Sequence, residues 1–471
     1  MKDKNIKEET KGQKLKNELF YKKSSVYEKN GASEIDKAYK YAKGYMKFLD
    51  NAKTEREAVR EGVKMLEAAG FVPYSFGTKV MPGDKFYYNN RGKSLFAFTI
   101  GSEDIENGVR ISAAHIDSPR LDLKQNPVYE DSGMGFLKTH YYGGIKKYQW
   151  TVTPLALHGV VTKASGETVE IVIGEDDKDP VFYINDILPH LGYEQGKQPL
   201  STAIPAELLN ILIGSRPYDD EAADEKIKLN LLAILNEKYG ITEEDFLSAE
   251  ISAVPAFKAR DIGLDRSLVG AYGHDDRVCA YPALSAIIDN AGSKHTLMCV
   301  LADKEEIGSE GNSGMQSKIF LDLIDDICAS RNKNPIVVRA NSKCLSADVS
   351  AAFDPNFAEA FERRNSAMIS SGVVMNKYTG ARGKSGSNDA SAEYIGELRG
   401  IFAKGNVTWQ TGELGKTDFG GGGTVAKYIA NCNIDTVDLG VAVISMHAPY
   451  EVISKVDLYE TYKAFSAFCK Y

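Results

Sequence analysis

A chain of 471 residues exceeds what a peptide, a disulfide knot or a single repeat unit needs, and it accommodates two or three domains. Hydrophobic residues at 43% and charged residues at 26% are globular proportions and exclude wholesale disorder. A net charge of −8, from 57 basic and 65 acidic residues, argues against a nucleic-acid partner, which calls for a basic face.

The first stretch, 1–30, begins MKDKNIKEETKGQKLKNELFYKKSS and reads as a charged tail without the apolar run of a secretory signal. Nowhere does an apolar run approach the roughly 20 residues of a membrane span. The six Cys fall between Cys279 and Cys469 with no CxxC pair, so neither a thiolate zinc site nor a disulfide framework is indicated. A cytoplasmic protein with no membrane partner is expected.

From Ser33 to Gly70 the spacing predicts helix: Ala38, Ala42, Tyr45, Met46 and Leu49, then Ala58, Val63 and Leu66, recur on one face. KFYYNN, SLFAFTIG and GVRISAAHID follow as short strand-like bursts. The texture changes from about Leu123 to Leu264. There HGVVTKASGETVEIVIGEDD predicts a hairpin with a Ser-Gly turn, DDEAADEK an acidic loop and IKLNLLAILNEKYG a helix. After Gly270 the order is helix VCAYPALSAIIDNAG, strand TLMCVLAD, helix SKIFLDLIDDICASRN, strand VDLGVAVISM and a closing helix. That alternation around a β-rich block predicts an α/β domain carrying an insertion.

Four strand-like runs end in ligand-type residues: VRISAAHID in His115 and Asp117, TLMCVLADKEEIG in Glu305 and Glu306, KCLSADVSAAF in Asp348, and VDLGVAVISMHAPYE in His447. Carboxyl ends of strands line the ligand crevice of open α/β sheets, so these residues can converge. AYGHDDRVCAYPAL adds Asp275 and Asp276 before a helix, whose positive end favours carboxylates. Imidazoles and carboxylates without cysteine suit zinc or a similar divalent ion. If Asp275 bridges two metals, His115 and Asp348 complete one side and Glu306 and His447 the other. Glu305 is then free to act as the general base of a hydrolase. Asp117 can take the other ring N–H of His115. Taken singly, each signal has a plainer reading: a structural histidine, a solvated KEE face, a DD turn or cap.

The ordered motifs HIDSP, GHDDRVCAY, DKEEIGS, SADVSAAFDP and ISMHAPYE resemble the M18 metallopeptidases, the aspartyl aminopeptidase family, and especially its bacterial branch. The resemblance runs from about Ala38 to the end and includes YYGGIKKYQW. It implies a zinc-exopeptidase-like mixed sheet flanked by helices, with catalytic segments 31–123 and 265–471 and an inserted β-rich dimerisation domain at 124–264. It implies two Zn²⁺ per subunit, with Co²⁺ or Mn²⁺ as substitutes, held by His115, bridging Asp275, Glu306, Asp348 and His447. Glu305 would be the base, Asp117 would orient His115, and Asp275–Asp276 would be a cis peptide.

The implied substrates are peptides cut after the N-terminal residue, with Asp or Glu there as one option. Lys377, Arg382 and Lys384 are the cations offered to such a side chain; a solvated basic loop is the alternative. Gly421 and Gly422, in FGGGGTVAKYIA, would let a peptide backbone approach. GARGKSG is not a phosphate loop, because Tyr378 stands where that motif needs glycine. The family further implies dimers assembling into a tetrahedral dodecamer, with His190 of DILPHLG reaching a neighbouring site; a turn histidine is the plainer reading. His140, His158, His274 and His295 receive no role. Two rivals stand beside the aminopeptidase: another dinuclear amidase or deacylase, and a non-catalytic assembly or cargo protein, against which the presence of Glu305 speaks.

Overall fold

The computed structural model describes residues 9–471, so the first eight residues of the expected tail lie outside the described residues. Part of the remaining tail is helical: Lys11–Leu19 starts from a capping box between Thr10 and Gln13 and buries no side chain. The helical run expected from Ser33 to Gly70 is two helices, Ala32–Asn51 and Glu55–Ala68. Thr54 is the reason: its hydroxyl accepts from Glu57 N while the Glu57 carboxylate accepts from Thr54 N at 3.0 Å, restarting the helix.

A nine-stranded sheet organises the chain, and its centre is four adjacent parallel strands: Thr296–Ala302, Val109–His115, Lys343–Ala347 and Asp435–Gly440. Almost every residue of these strands is buried because both faces are covered. Leu297, Leu301, Leu345 and Leu439 pack with helices Ala32–Asn51, Glu55–Ala68, His274–Asp289, Ala392–Lys404 and Lys455–Lys470. On the other face Ile111, Met298, Val300 and Cys344 meet Ile319–Ser330 and Pro335–Asn341. Each such buried side chain contributes about 1.5–3 kcal/mol, so the strand ends rest on a rigid support.

The strand expected at VDLGVAVISM is divided. Asp435–Gly440 belongs to the nine-stranded sheet, whereas Ala442–Ile444 pairs with Glu451–Ser454 in a separate five-stranded sheet. The change of sheet passes Asp348 so closely that a Cβ on Gly440 would lie 1.7 Å from the Asp348 carbonyl oxygen. Only glycine fits.

A seven-stranded antiparallel sheet contains Arg120–Asp131, Met134–Tyr142, Leu155–Thr162, Thr168–Ile173 and Ala249–Pro255. The predicted hairpin is present, with Leu155–Thr162 paired to Thr168–Ile173, and the helix Lys226–Tyr239 lies on the same unit. Its apolar cluster, around fully buried Trp150, is distinct from those of the nine-stranded sheet. Arg120–Asp131 starts only five residues beyond His115, and this proximity brings the second sheet to the site. No helix among the described residues is long and apolar enough to cross a membrane.

Candidate metal centre and catalytic site

Three neighbouring parallel strands deliver three of the expected groups. His115 ends Val109–His115, Asp348 follows Lys343–Ala347, and Glu305 and Glu306 stand in a short turn after Thr296–Ala302. Asp275 lies at the start of the helix His274–Asp289, and its bond to Asp276 is cis. His447 reaches the centre from the loop between Ala442–Ile444 and Glu451–Ser454, with φ of +64°.

These side chains form two groups that share Asp275: His115, Asp275 and Asp348, and Asp275, Glu306 and His447. His115 Nε2 lies 3.1 Å from Asp275 Oδ1 and 3.7 Å from Asp348 Oδ1. His447 Nε2 lies 3.2 Å from Asp275 Oδ2 and 3.7 Å from Glu306 Oε2. Asp275 thus turns one oxygen to each group. Two ligand atoms on one tetrahedral zinc are about 3.4 Å apart, given bonds of about 2.1 Å, and the four separations bracket that value.

The electrostatics also call for cations. Asp275, Asp276, Glu305, Glu306 and Asp348 crowd around two imidazoles, and buried Asp275 Oδ1 and Glu306 Oε1 lack hydrogen-bond partners. Burial, then the charges of Asp348 and Asp275, pushes Glu305 up to about 8. Burial opposes a charged His447, yet Asp275 and Glu306 raise it to about 10. An excess of buried negative charge with unpartnered oxygens fits two divalent ions better than it fits an ion-pair network.

Both imidazoles are held by their far nitrogens. His115 Nδ1 donates to the Asp117 carbonyl oxygen at 3.0 Å, and His447 Nδ1 donates to the Gly144 carbonyl oxygen at 2.7 Å. In the neutral ring that a metal ligand requires, Nε2 is then the acceptor that faces the centre. Glu451 accepts from Asp275 N at 3.1 Å and His447 N at 2.7 Å, tying the two segments together. The Ser118 hydroxyl donates to the Asp275 carbonyl oxygen. Sequence reasoning missed Glu451, Ser118, Tyr142 and Gly144. The first two lie inside the motifs ISMHAPYE and HIDSP, but neither offers a zinc-ligand spacing; Tyr142 and Gly144 lie inside YYGGIKKYQW, which carries no ligand-type residue, and a backbone carbonyl such as that of Gly144 has no residue-type signal.

The centre opens into a cavity of about 770 Å³ lined by Asp275, Glu305, Glu306, Asp348 and His447. Arg382, Lys384, Gly421 and Gly422 line its rim; Lys377 does not, and instead pairs with Asp389 at 2.6 Å. Lys384 pairs with the same Asp389 at 3.1 Å. His190 is exposed and outside the cavity lining. His274 is a core residue: Nε2 donates to the Val269 carbonyl oxygen, Nδ1 accepts from the Tyr45 hydroxyl, and burial lowers it to about 3.

Residues 48–469 match the family model described as aminopeptidase I zinc metalloprotease (M18). A probable M18 family aminopeptidase 1 from Clostridium acetobutylicum is 50% identical over 462 residues, covering 96% of this chain and 99% of that relative. The crystal structure of an M18 family aminopeptidase from Thermotoga maritima superposes with a TM-score of 0.90 at 42% identity, covering 96% of this chain and 100% of that one. The mApe1 dodecamer of S. cerevisiae shares the fold, with a TM-score of 0.75 at 21% identity over 93% of this chain and 97% of that one.

Proposed function

The chain belongs to the M18 family of zinc metallo-aminopeptidases and is a peptidase, and from that premise we propose that it removes N-terminal residues from peptides at a two-zinc centre. The observation that carries this reading is the pair of ligand groups sharing Asp275 on the floor of a cavity that Glu305 also lines. One zinc would be held by His115, Asp275 and Asp348, the other by Asp275, Glu306 and His447, with Co²⁺ or Mn²⁺ as substitutes. Bound there, zinc supplies Lewis acidity, which makes water easier to deprotonate and the scissile carbonyl more electrophilic.

Glu305 takes a proton from the attacking water and returns it to the leaving amine nitrogen as the C–N bond breaks. Asp117 holds the ring of His115 and, by accepting from Glu305 N and Glu306 N at 3.1 Å each, the turn that carries the base. Lys384 and Arg382 are the rim cations that an N-terminal Asp or Glu would meet, with Lys377 steering Lys384 through Asp389. Gly422, where a Cβ would meet nothing nearer than Leu414 Cδ2 at 3.5 Å, gives the substrate backbone room, whereas Gly421 makes room for the paired backbone of Gly380 and Ala381. Residues 124–264 serve as the dimerisation domain of a cytoplasmic homo-oligomer, dodecameric like mApe1, in which exposed His190 is available to a neighbouring subunit.

The test is a panel of Asp-, Glu-, Leu- and Lys-peptides with free or acetylated α-amino groups, run on zinc-quantified protein. Free peptides should be cut one residue at a time and acetylated ones refused. Chelation should abolish turnover, and zinc or cobalt should restore it. Deacetylation of the blocked set favours the deacylase reading; turnover by verified metal-free protein overturns the zinc assignment.

A further inference from the structure

We propose that Tyr142, Gly143 and Gly144, where the seven-stranded sheet ends against the catalytic centre, form a clamp that positions both halves of the zinc site, with Tyr142 as a positioning residue. The proposal rests on the two-zinc reading above.

Tyr142 is the last residue of Met134–Tyr142, paired across the sheet with Arg120. Its hydroxyl donates to Asp117 Oδ2 at 2.8 Å. Asp117 is fully buried, and the same oxygen accepts from Glu306 N, while Oδ1 accepts from Glu305 N and faces His115 Nδ1 at 3.3 Å. One carboxylate therefore sets the orientation of a zinc-binding ring and the path of the turn that carries both the base and another ligand. Tyr142 is its anchor from the second sheet. The ring of Tyr142 is fixed in turn: the Arg120 guanidinium lies 4.0 Å from its centroid and is held by Glu55 at 3.0 Å and Asp122 at 2.8 Å.

The next two residues touch the other zinc group. Gly143, with φ of +73°, lies so close that an added Cβ would be 3.2 Å from Glu306 Oε2 and 3.3 Å from Glu306 Cβ. Gly144 accepts the Nδ1 proton of His447, which fixes the tautomer whose Nε2 faces Asp275 and Glu306. Three consecutive residues thus contact Asp117, Glu306 and His447. Reacting groups must be held within about 0.5 Å of productive geometry, and a buried carboxylate that loses one of its donors is held to it less firmly.

Tyr142→Phe removes the hydroxyl and keeps the ring beneath Arg120. Expected are a fall in kcat of about ten- to a hundredfold with KM nearly unchanged, and zinc retention against a chromogenic chelator weakened about tenfold. Oligomer size should be retained, and the thermal midpoint of the zinc-free protein should move by no more than about 4 °C. Gly143→Ala, which leaves the hydroxyl in place and presses on Glu306, should also weaken zinc retention. Wild-type kcat and zinc retention in Tyr142→Phe overturn the clamp and leave the aminopeptidase reading intact. So does a loss confined to thermal midpoint and folded fraction. Zinc-loaded wild-type protein without peptidase activity overturns the functional reading, and zinc retention in the two variants still decides the clamp. Wild-type protein that retains no zinc overturns both.

Discussion

Among the described residues, two buried clusters of histidine and carboxylate can be set side by side, and one of them has the makings of a metal site. Around His158, Nδ1 meets Glu57 at 2.8 Å and Nε2 meets Glu175 at 3.1 Å. Lys53 lies 3.4 Å from Glu175 and donates to the carbonyl oxygens of Pro255 and Phe257, and Lys258 lies 2.6 Å from the same glutamate. Cations answer carboxylates there, and neither ring nitrogen of His158 is free. Around Asp275 the carboxylates outnumber the imidazoles, two buried carboxylate oxygens, Asp275 Oδ1 and Glu306 Oε1, have no hydrogen-bond partner, and the cluster opens into a cavity. Both places set histidine against buried carboxylates, but lysines join only the first. Charge balance and access separate a structural clamp between the helix Glu55–Ala68 and the second sheet from a centre suited to bind ions and substrate.

Glu305→Gln tests the comparison with the largest expected effect. The substitution removes the proposed proton acceptor but no member of either ligand group, so turnover should fall about 10²–10⁴-fold while zinc content and oligomer size hold. Peptidase assays on zinc-quantified protein measure it. Unchanged turnover would reject Glu305 as the base. The matching change in the other cluster is His158→Ala, which should leave zinc content untouched and cost about 3 kcal/mol of stability in chemical denaturation, because Glu57 and Glu175 lose their shared buried partner. A variant that loses zinc or activity while keeping stability would show that the two clusters are not separate in role.

The contrast also explains what the sequence made legible. His115, Asp348 and the Glu305–Glu306 pair could be found because an apolar strand that ends in a ligand residue is a local pattern, and three such strands proved to be adjacent and parallel. His447 is singled out by residue type, although its strand divides at Gly440 under a close approach to Asp348 that no periodicity encodes. The break at Thr54 was written in a capping box with Glu57, yet apolar spacing on either side concealed it. His158 stayed unassigned because its partners lie 101 and 17 residues away and only folding brings them together. The same holds for Asp117, in the loop between His115 and Arg120, and Tyr142, 25 residues on at the end of a strand of the second sheet.

The smallest expected effect concerns pH and sharpens the comparison further. Burial opposes the charged form of His158, but Glu175 and Glu57 outweigh it and raise its pKa above 6.5. A histidine raised on folding contributes stability that is complete below about 6.5 and is lost as pH rises through the folded value. Glu175, against the cost of burial, is held down to about 2 by His158 and Lys53, and Glu57 is lowered mainly by His158. Carboxylates lowered on folding contribute fully above about 4.5 and lose that contribution as pH falls through the folded value. The cluster is therefore at full strength between about pH 4.5 and 6.5 and weakens on both sides. The stability difference between wild type and His158→Gln, followed by denaturant titration across pH 4–9, should be greatest in that window and shrink toward alkaline pH. A difference that is flat with pH would mean that His158 stays neutral throughout, and that the second cluster is balanced by Lys53 and Lys258 without a charged histidine.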